Sequence, residues 1–191
     1  MPAKIKVTRE DIVEAAVALT REGSLSALSA RTVAARLGCS TQPIFSNFPG
    51  MDALLKAVLT RAYEIYAARI YQAMDEGRYP AYKASGMAYI AFAVEEPQLF
   101  RLIFMRDRRG EEINDMTDEA ETIIMMIMNA TGLSRKDAGQ LHGDMWIFVH
   151  GLAAMYVTGF YLYNEAAVSE TLTRVYFSLL EHYQKGSESN D

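Results

Sequence analysis

The sequence predicts an all-α protein of about nine helices, in which an N-terminal three-helix module precedes a helical-bundle domain. Apolar residues repeat at three- and four-residue spacing along nearly all of the 191 residues. Serine, threonine or proline stands where most of these segments start, and glycine stands where several of them stop. No long run of alternating apolar and polar residues and no Asn-Gly or Asp-Gly hairpin turn occurs in the sequence, so we expect no β-strands.

Three short helices are predicted between residues 8 and 48. Each follows a side chain that can accept a hydrogen bond from the first turn of a helix, and these side chains are Thr8, Ser29 and Ser40. Glycines end the first two helices at Gly23 and Gly38. The tight turn at Gly38 gives the second and third helices the layout of a helix-turn-helix, at about residues 29–48. We therefore expect one domain at residues 1–50 and another at 51–191.

Six further helices are predicted in the second domain. Their approximate extents are 52–76, 80–95, 97–106, a segment through 123–128 that stops at Gly132, 134–164 and 168–185. Residues 145–164 contain no charged residue and are numerous enough to cross a bilayer. Polar and small residues dilute this run, and no basic flank sets an orientation. We therefore expect it to be covered by protein, in the core or at a subunit interface.

Charge distinguishes the two predicted domains. Residues 1–50 hold six Lys/Arg and four Asp/Glu, whereas the rest of the chain holds 13 and 20. A mildly basic domain joined to an acidic one indicates an anionic partner for the first domain alone. The single cysteine, Cys39, excludes an intramolecular disulfide framework and a cysteine-based zinc cluster, and it suits the reducing cytoplasm. Residues 1–7 lack the apolar stretch of a signal peptide, so we expect no cleavable export signal.

The third short helix is the predicted DNA-reading element. The major groove of B-DNA admits one α-helix, whose outward side chains reach the base edges. Ile44 and Phe48 lie four residues apart and are expected to face inward. The start of the second helix is placed for contacts with phosphates. The predicted DNA-binding residues are Arg31, Thr32, Ser40, Thr41, Gln42, Pro43, Phe45, Ser46 and Asn47.

Several motifs in residues 8–60 occur together. They are Ile12…Ala15-Ala16…Leu19…Gly23, Ser29-Ala30-Arg31-Thr32-Val33-Ala34…Leu37-Gly38-Cys39-Ser40, Ile44-Phe45-Ser46-Asn47-Phe48 and Leu54-Leu55. In these motifs the sequence resembles the tetracycline-repressor (TetR) family of bacterial transcriptional regulators. Two later motifs resemble the subgroup whose regulatory domain is named for a Trp…His-Gly signature (WHG-type). These are Phe100-Arg101-Leu102-Ile103-Phe104 and Trp146…His150-Gly151-Leu152.

The resemblance implies a repressor that a small, largely apolar effector releases from its operator. It also implies a homodimer in which the helices at about 134–164 and 168–185 form the interface. Two recognition helices about 34–36 Å apart would then contact two half-sites of a palindrome in double-stranded DNA.

Three positions depart from the family pattern. The third helix carries Phe45 where tyrosine is usual and Asn47 where histidine or tyrosine is usual, and Met51 stands where a lysine usually opens the next helix. Each missing phosphate contact lowers the affinity for DNA, and a missing charge also lowers the salt dependence of binding. The alternative is therefore a ligand-binding or protein-interaction dimer that has lost sequence-specific DNA recognition.

The second domain is rich in methionine and aromatic residues. Two explanations stay open: these residues fill the core, or some of them line an apolar ligand cavity. The candidate ligand-binding residues are Tyr89, Phe92, Phe104, Met125, Trp146, His150 and Tyr156. The sequence contains neither a Glu-x-x-His motif nor a Gly-x-Ser-x-Gly elbow, so we expect no metal site, no cofactor and no enzymatic activity.

Overall fold

The computed structural model describes residues 7–23, 25–109 and 118–188. Over these residues the chain forms nine α-helices, a short 3-10 helix at Leu25–Ala27 and no strand, which confirms the predicted all-α fold. The helices are α1 Arg9–Gly23, α2 Ala30–Arg36, α3 Gln42–Asn47, α4 Met51–Asp75, α5 Ala81–Glu95, α6 Pro97–Phe104, α7 Asp118–Thr131, α8 Arg135–Val157 and α9 Glu165–Glu188.

Side-chain hydrogen bonds fix the first turns of α1 and α2. The backbone N–H of Thr8 donates to the Asp11 carboxylate at 2.8 Å, and the Asp11 N–H donates to the Thr8 hydroxyl at 3.1 Å. α2 begins with a full capping box, in which Ser29 and Thr32 each bond the backbone N–H of the other. These caps satisfy N–H groups that the helices themselves cannot pair, so they set where the module's helices begin.

Two predicted helix ends are corrected by the structure. α3 is preceded by Thr41 rather than Ser40, and Thr41 makes no side-chain cap. α8 ends at Val157, seven residues before the predicted end, because Gly159 adopts a left-handed backbone (φ 75°) that stops a helix. The predicted last residue of α8, Asn164, instead precedes α9 and accepts the Ala167 N–H at 3.0 Å.

The chain forms two compact units. The first comprises Met1–Ala68 and Glu96–Asp107, and the second comprises Arg69–Glu95 and Arg108–Asp191. This division differs from the predicted boundary at residue 50, because the first part of α4 and all of α6 pack with the helix-turn-helix. Two hydrogen bonds of 2.9 Å from Arg21 on α1 to the carboxylate of Glu96 reinforce the packing of α6 against α1.

Each unit has its own apolar core. In the first unit, fully buried side chains include Ile12, Val17, Val33, Leu54 and Phe100. In the second they include Ile90, Phe92, Ile127, Leu141 and Val168. Among the helices of the described ranges, none combines the length and the apolarity that crossing a bilayer requires.

Candidate nucleic-acid interface and ligand cavity

α3 presents a polar and aromatic face to solvent. Ile44 and Phe48 are buried, at 1% and 2% exposure, as their spacing predicts. The exposed residues of this segment are Thr41, Gln42, Phe45 and Ser46. The Phe45 ring is 53% exposed, so it contributes little to the core and is free to contact a partner.

Two of the predicted DNA-binding side chains bond to α3 itself. The Ser46 hydroxyl donates to the Gln42 carbonyl at 2.9 Å, and the Asn47 amide donates to the Pro43 carbonyl at 2.8 Å. Asn47 is half-buried and commits a donor to its own helix. Gln42 is the exposed amide of α3 that can pair with adenine through a donor and an acceptor together.

The start of α2 holds the predicted phosphate contacts. The Thr32 hydroxyl donates to the Ala27 carbonyl at 2.8 Å besides capping α2, so Thr32 has a structural role at this turn. Arg31 is exposed. Within the described part of residues 7–36, Arg21 and Arg36 form ion pairs with Glu96 and Glu22, whereas Arg31 forms none. Its charge is therefore available to a phosphate.

Sequence reasoning missed one cation beside α3. The guanidinium of Arg9, at the start of α1, lies 4.8 Å from the centre of the Phe48 ring. A cation over an aromatic face is stabilised by the ring's quadrupole. The signal for this contact is weak, because 39 residues separate the two positions and no periodicity links them.

Three of the predicted ligand-binding residues form one cluster. The buried Tyr89 on α5 hydrogen-bonds the His150 ring at 2.8 Å through its hydroxyl, and the Trp146 ring stacks on His150 with centres 5.2 Å apart. A similar pair lies two turns away, where the Tyr82 hydroxyl is 3.2 Å from Nδ1 of His142. These tyrosine–histidine pairs join α5 to α8.

The other four predicted ligand-binding residues lie apart. Phe92 is fully buried, Met125 is exposed on α7, and Tyr156 packs its ring edge-to-face on Tyr163. Phe104 belongs to the first unit, where its ring lies 5.2 Å from that of Tyr66. The seven candidate residues therefore do not line one common cavity.

A cavity of about 440 Å³ lies in the second unit. It opens between the end of α4, one face of α5 and the start of α9, and none of the seven predicted residues lines it. Its lining is more charged than the predicted apolar cavity. The residues are Arg69, Gln72, Ala73, Glu76, Arg78, Tyr79, Ala84, Met87, Ala88, Ala91, Glu95, Tyr163 and Glu165. In the sequence, the alanines that recur along one face of α5 are the signal that indicates this cavity.

Acid is expected to destabilise the fold as the pH falls below about 6.5. Burial lowers the pKa of His142 and of His150 from 6.5 in the folded state. The unfolded chain therefore takes up protons first, so the stability that these groups contribute is complete above 6.5 and is lost as the pH falls. Thermal unfolding at about pH 7.5 and 5.5 measures this loss.

Variants test whether the acid effect comes from His142 and His150, which are half-buried. A His142→Gln/His150→Gln double variant is expected to show a smaller fall in melting temperature between the two pH values. His182→Gln, which changes an exposed histidine, is the control and should keep the wild-type fall. An equal fall in all three proteins would contradict the assignment.

Comparison with known proteins identifies the class of this chain. A family model described as bacterial regulatory proteins, tetR family, matches residues 12–58. A second, described as the tetracyclin repressor-like C-terminal domain, matches residues 82–179. A comparison with curated proteins finds no match. The first match contains the helix-turn-helix and the second alone covers more than half of the chain, so the protein belongs to a class of helix-turn-helix transcriptional regulators.

Solved structures share the whole fold. A protein of unknown function from Rhodococcus sp. RHA1 superposes with a TM-score of 0.74 at 18% identity, over 96% of this chain and 98% of that one. A TetR-like transcriptional regulator from the same organism gives 0.65 at 13% identity, over 93% and 96%. A variant of TetR from Acinetobacter baumannii AYE, in complex with minocycline, gives 0.62 at 19% identity, over 94% and 98%. The structures share the fold, and the family-model matches to residues 12–58 and 82–179 show that the chain belongs to the TetR family.

Proposed function

We propose that the protein is a homodimeric repressor that binds a palindromic operator and is released from it by a small molecule bound in the second unit. The observation that carries this proposal is the exposed face of α3, where Phe45 and Gln42 stand clear of the core. The proposal includes membership of the WHG-type subgroup, for which Trp146, His150 and Gly151 on α8 are the motif. It also places the protein in the cytoplasm, where its single cysteine stays reduced.

The distribution of exposed apolar side chains supports the homodimer. Among the described residues, eight of the twelve large exposed apolar side chains lie on α8, on α9 or between them. They are Trp146, Ile147, Met155, Phe160, Tyr161, Leu162, Tyr163 and Phe177. Apolar side chains concentrated on α8, on α9 and in the segment between them mark an interaction surface, and pairing this region with the same region of a second copy would bury them.

α4 connects the two proposed sites within one helix. It begins four residues after the end of α3, and its last two turns line the cavity. A ligand that changes the position of this helix would change the spacing of the two α3 helices in a dimer. To release DNA, the ligand must bind the released state more tightly than the DNA-bound state, because equal affinity for both shifts nothing. The minocycline complex of the Acinetobacter baumannii protein supports a small-molecule site in this fold.

Selection from a random pool of duplex DNA tests the proposal. The purified protein at low salt is expected to enrich a palindrome with two symmetric half-sites. No enrichment by a folded dimer would favour the alternative, a dimer that has lost DNA recognition.

Substitutions then separate base contacts from phosphate contacts. Gln42→Ala is expected to cost about 1–3 kcal/mol on the selected duplex and to relax specificity at one position of each half-site. Arg31→Ala should weaken binding about equally for all sequences and reduce the salt slope by about one per subunit. Thr60→Ala, an exposed polar truncation on α4, is the control and should bind as wild type.

A further inference from the structure

We propose that the cavity of the second unit binds a small amphipathic organic cation, with its apolar body on the alanines of α5 and its positive charge beside Glu76. This inference deepens the proposed function by naming the class of effector. It depends on that function only for the consequence that binding has for DNA.

The cavity owes its shape to small side chains. Ala84, Ala88 and Ala91 follow one face of α5, where larger residues would close the space against α4. On α4, Ala73 lies at the same cavity, between the longer polar side chains of this helix. The volume of about 440 Å³ lies within the range of small-molecule sites. The apolar part of a small ligand can therefore pack against the alanines of α5.

The charged groups of the lining do not balance. Three carboxylates and two guanidinium groups face the cavity. Arg69 pairs with Glu95, and Arg78 pairs with Glu165 at 2.7 Å. In the described part of the chain Glu76 pairs with no cation, and its carboxylate accepts a hydrogen bond of 2.8 Å from the Gln72 amide.

The sign of the unbalanced charge selects the ligand. A cation placed near Glu76 would complete the pairing of all three carboxylates. An anion would have to separate Arg69 or Arg78 from its partner and would then lie beside the released carboxylate. Exposure of these groups to water reduces the preference to a modest one, so it is expected as a ratio of affinities rather than as exclusion.

Two tyrosine rings stand at the cavity. The Arg78 guanidinium and the Lys83 ammonium lie 5.3 and 4.8 Å from the centre of the Tyr79 ring, so this ring is already engaged by the protein's own cations. Desolvation raises the pKa of Tyr163, and the charges of Glu165 and Glu95 raise it further. The Tyr163 phenol therefore stays neutral near pH 7 and adds no charge of its own to the cavity lining.

Two ions of the same shape and opposite charge test the inference. Tetraphenylphosphonium and tetraphenylborate are titrated separately into the full chain by calorimetry, without DNA, in a low-salt sodium buffer. The phosphonium is expected to bind saturably, with an affinity roughly ten-fold above that of the borate. Equal affinities, tighter binding of the borate, or no binding of the phosphonium would overturn the inference.

Variants locate the binding. Glu76→Gln is expected to weaken phosphonium binding roughly two- to five-fold without weakening borate binding. Glu10→Gln makes the same charge change on α1, outside the cavity, and should leave both affinities unchanged. Ala88→Leu fills the floor without changing charge and should weaken both ions. Circular dichroism confirms that each variant is folded. Phosphonium binding that none of the cavity variants alters would place the ion elsewhere and overturn the inference.

The two proposals can fail separately. If the phosphonium binds but leaves operator binding unchanged, the cation site stands and the release mechanism of the proposed function fails. If an operator is selected but the phosphonium does not bind, the cation site fails and the proposed function stands.

Discussion

Ile147→Glu is expected to convert the protein from a dimer to a monomer. Ile147 is 66% exposed on α8, so the substitution leaves the core of the single chain intact. In a two-fold symmetric dimer, each subunit would bury one new carboxylate without a partner. An uncompensated buried charge costs about 3–5 kcal/mol, and each dimer would bury two, which weakens association by roughly four to seven orders of magnitude.

Size-exclusion chromatography followed by light scattering measures the molar mass of the wild type and of the variant. The wild type is expected at twice the chain mass of 21.4 kDa and the variant at the chain mass itself. Met125→Glu is the matched control, because Met125 is also apolar and 46% exposed but lies on α7. A variant that remains dimeric at micromolar concentration would place the interface elsewhere. A monomeric variant should also lose its preference for palindromic duplexes over duplexes with a single half-site, since one α3 contacts only one half-site.

Phe48→Ala is expected to destabilise the first unit by about 3–5 kcal/mol. The Phe48 ring is 2% exposed and lies directly after α3, beneath the Arg9 guanidinium. Truncating it leaves a cavity and removes the cation–π contact. Because whole domains are stable by only about 5–15 kcal/mol, this loss is a large fraction of the total. Chemical denaturation measures the change in the free energy of unfolding.

Phe45→Ala provides the matched control three residues earlier. The same truncation at a ring that is 53% exposed should change stability by no more than about 0.5 kcal/mol. It should nevertheless weaken operator binding, because Phe45 is proposed to contact DNA. Equal destabilisation by the two substitutions would mean that Phe45 has a structural role and would remove the observation on which the proposed function depends.

The sequence predicted the first unit's helices better than its packing. Thr8, Ser29, Gly23 and Gly38 are local signals, and local hydrogen bonds decide where short helices begin and end. That α6 packs with α1 depends on contacts such as Arg21–Glu96, which join residues 75 apart. No periodicity reports a contact at that separation, so the predicted boundary at residue 50 followed the motifs rather than the packing.

The ends of α8 and the cavity illustrate a second limit. The uncharged run 145–164 suggested one long helix, but Gly159 divides it, and hydropathy does not register a left-handed backbone. The candidate ligand-binding residues are large apolar or aromatic side chains. This cavity forms where side chains are small, so a pattern of large side chains does not indicate the alanines that line it.

The exposed segment between α8 and α9 has a consequence for synthesis in the cell. Until the proposed dimer forms, a newly translated chain carries Phe160 and Leu162 at 72% and 94% exposure. During that interval, pairing competes with aggregation, since exposed apolar surface drives both. Chains made by several ribosomes on one messenger RNA are released close together and would meet a partner soonest. Such translation would favour dimerisation over aggregation.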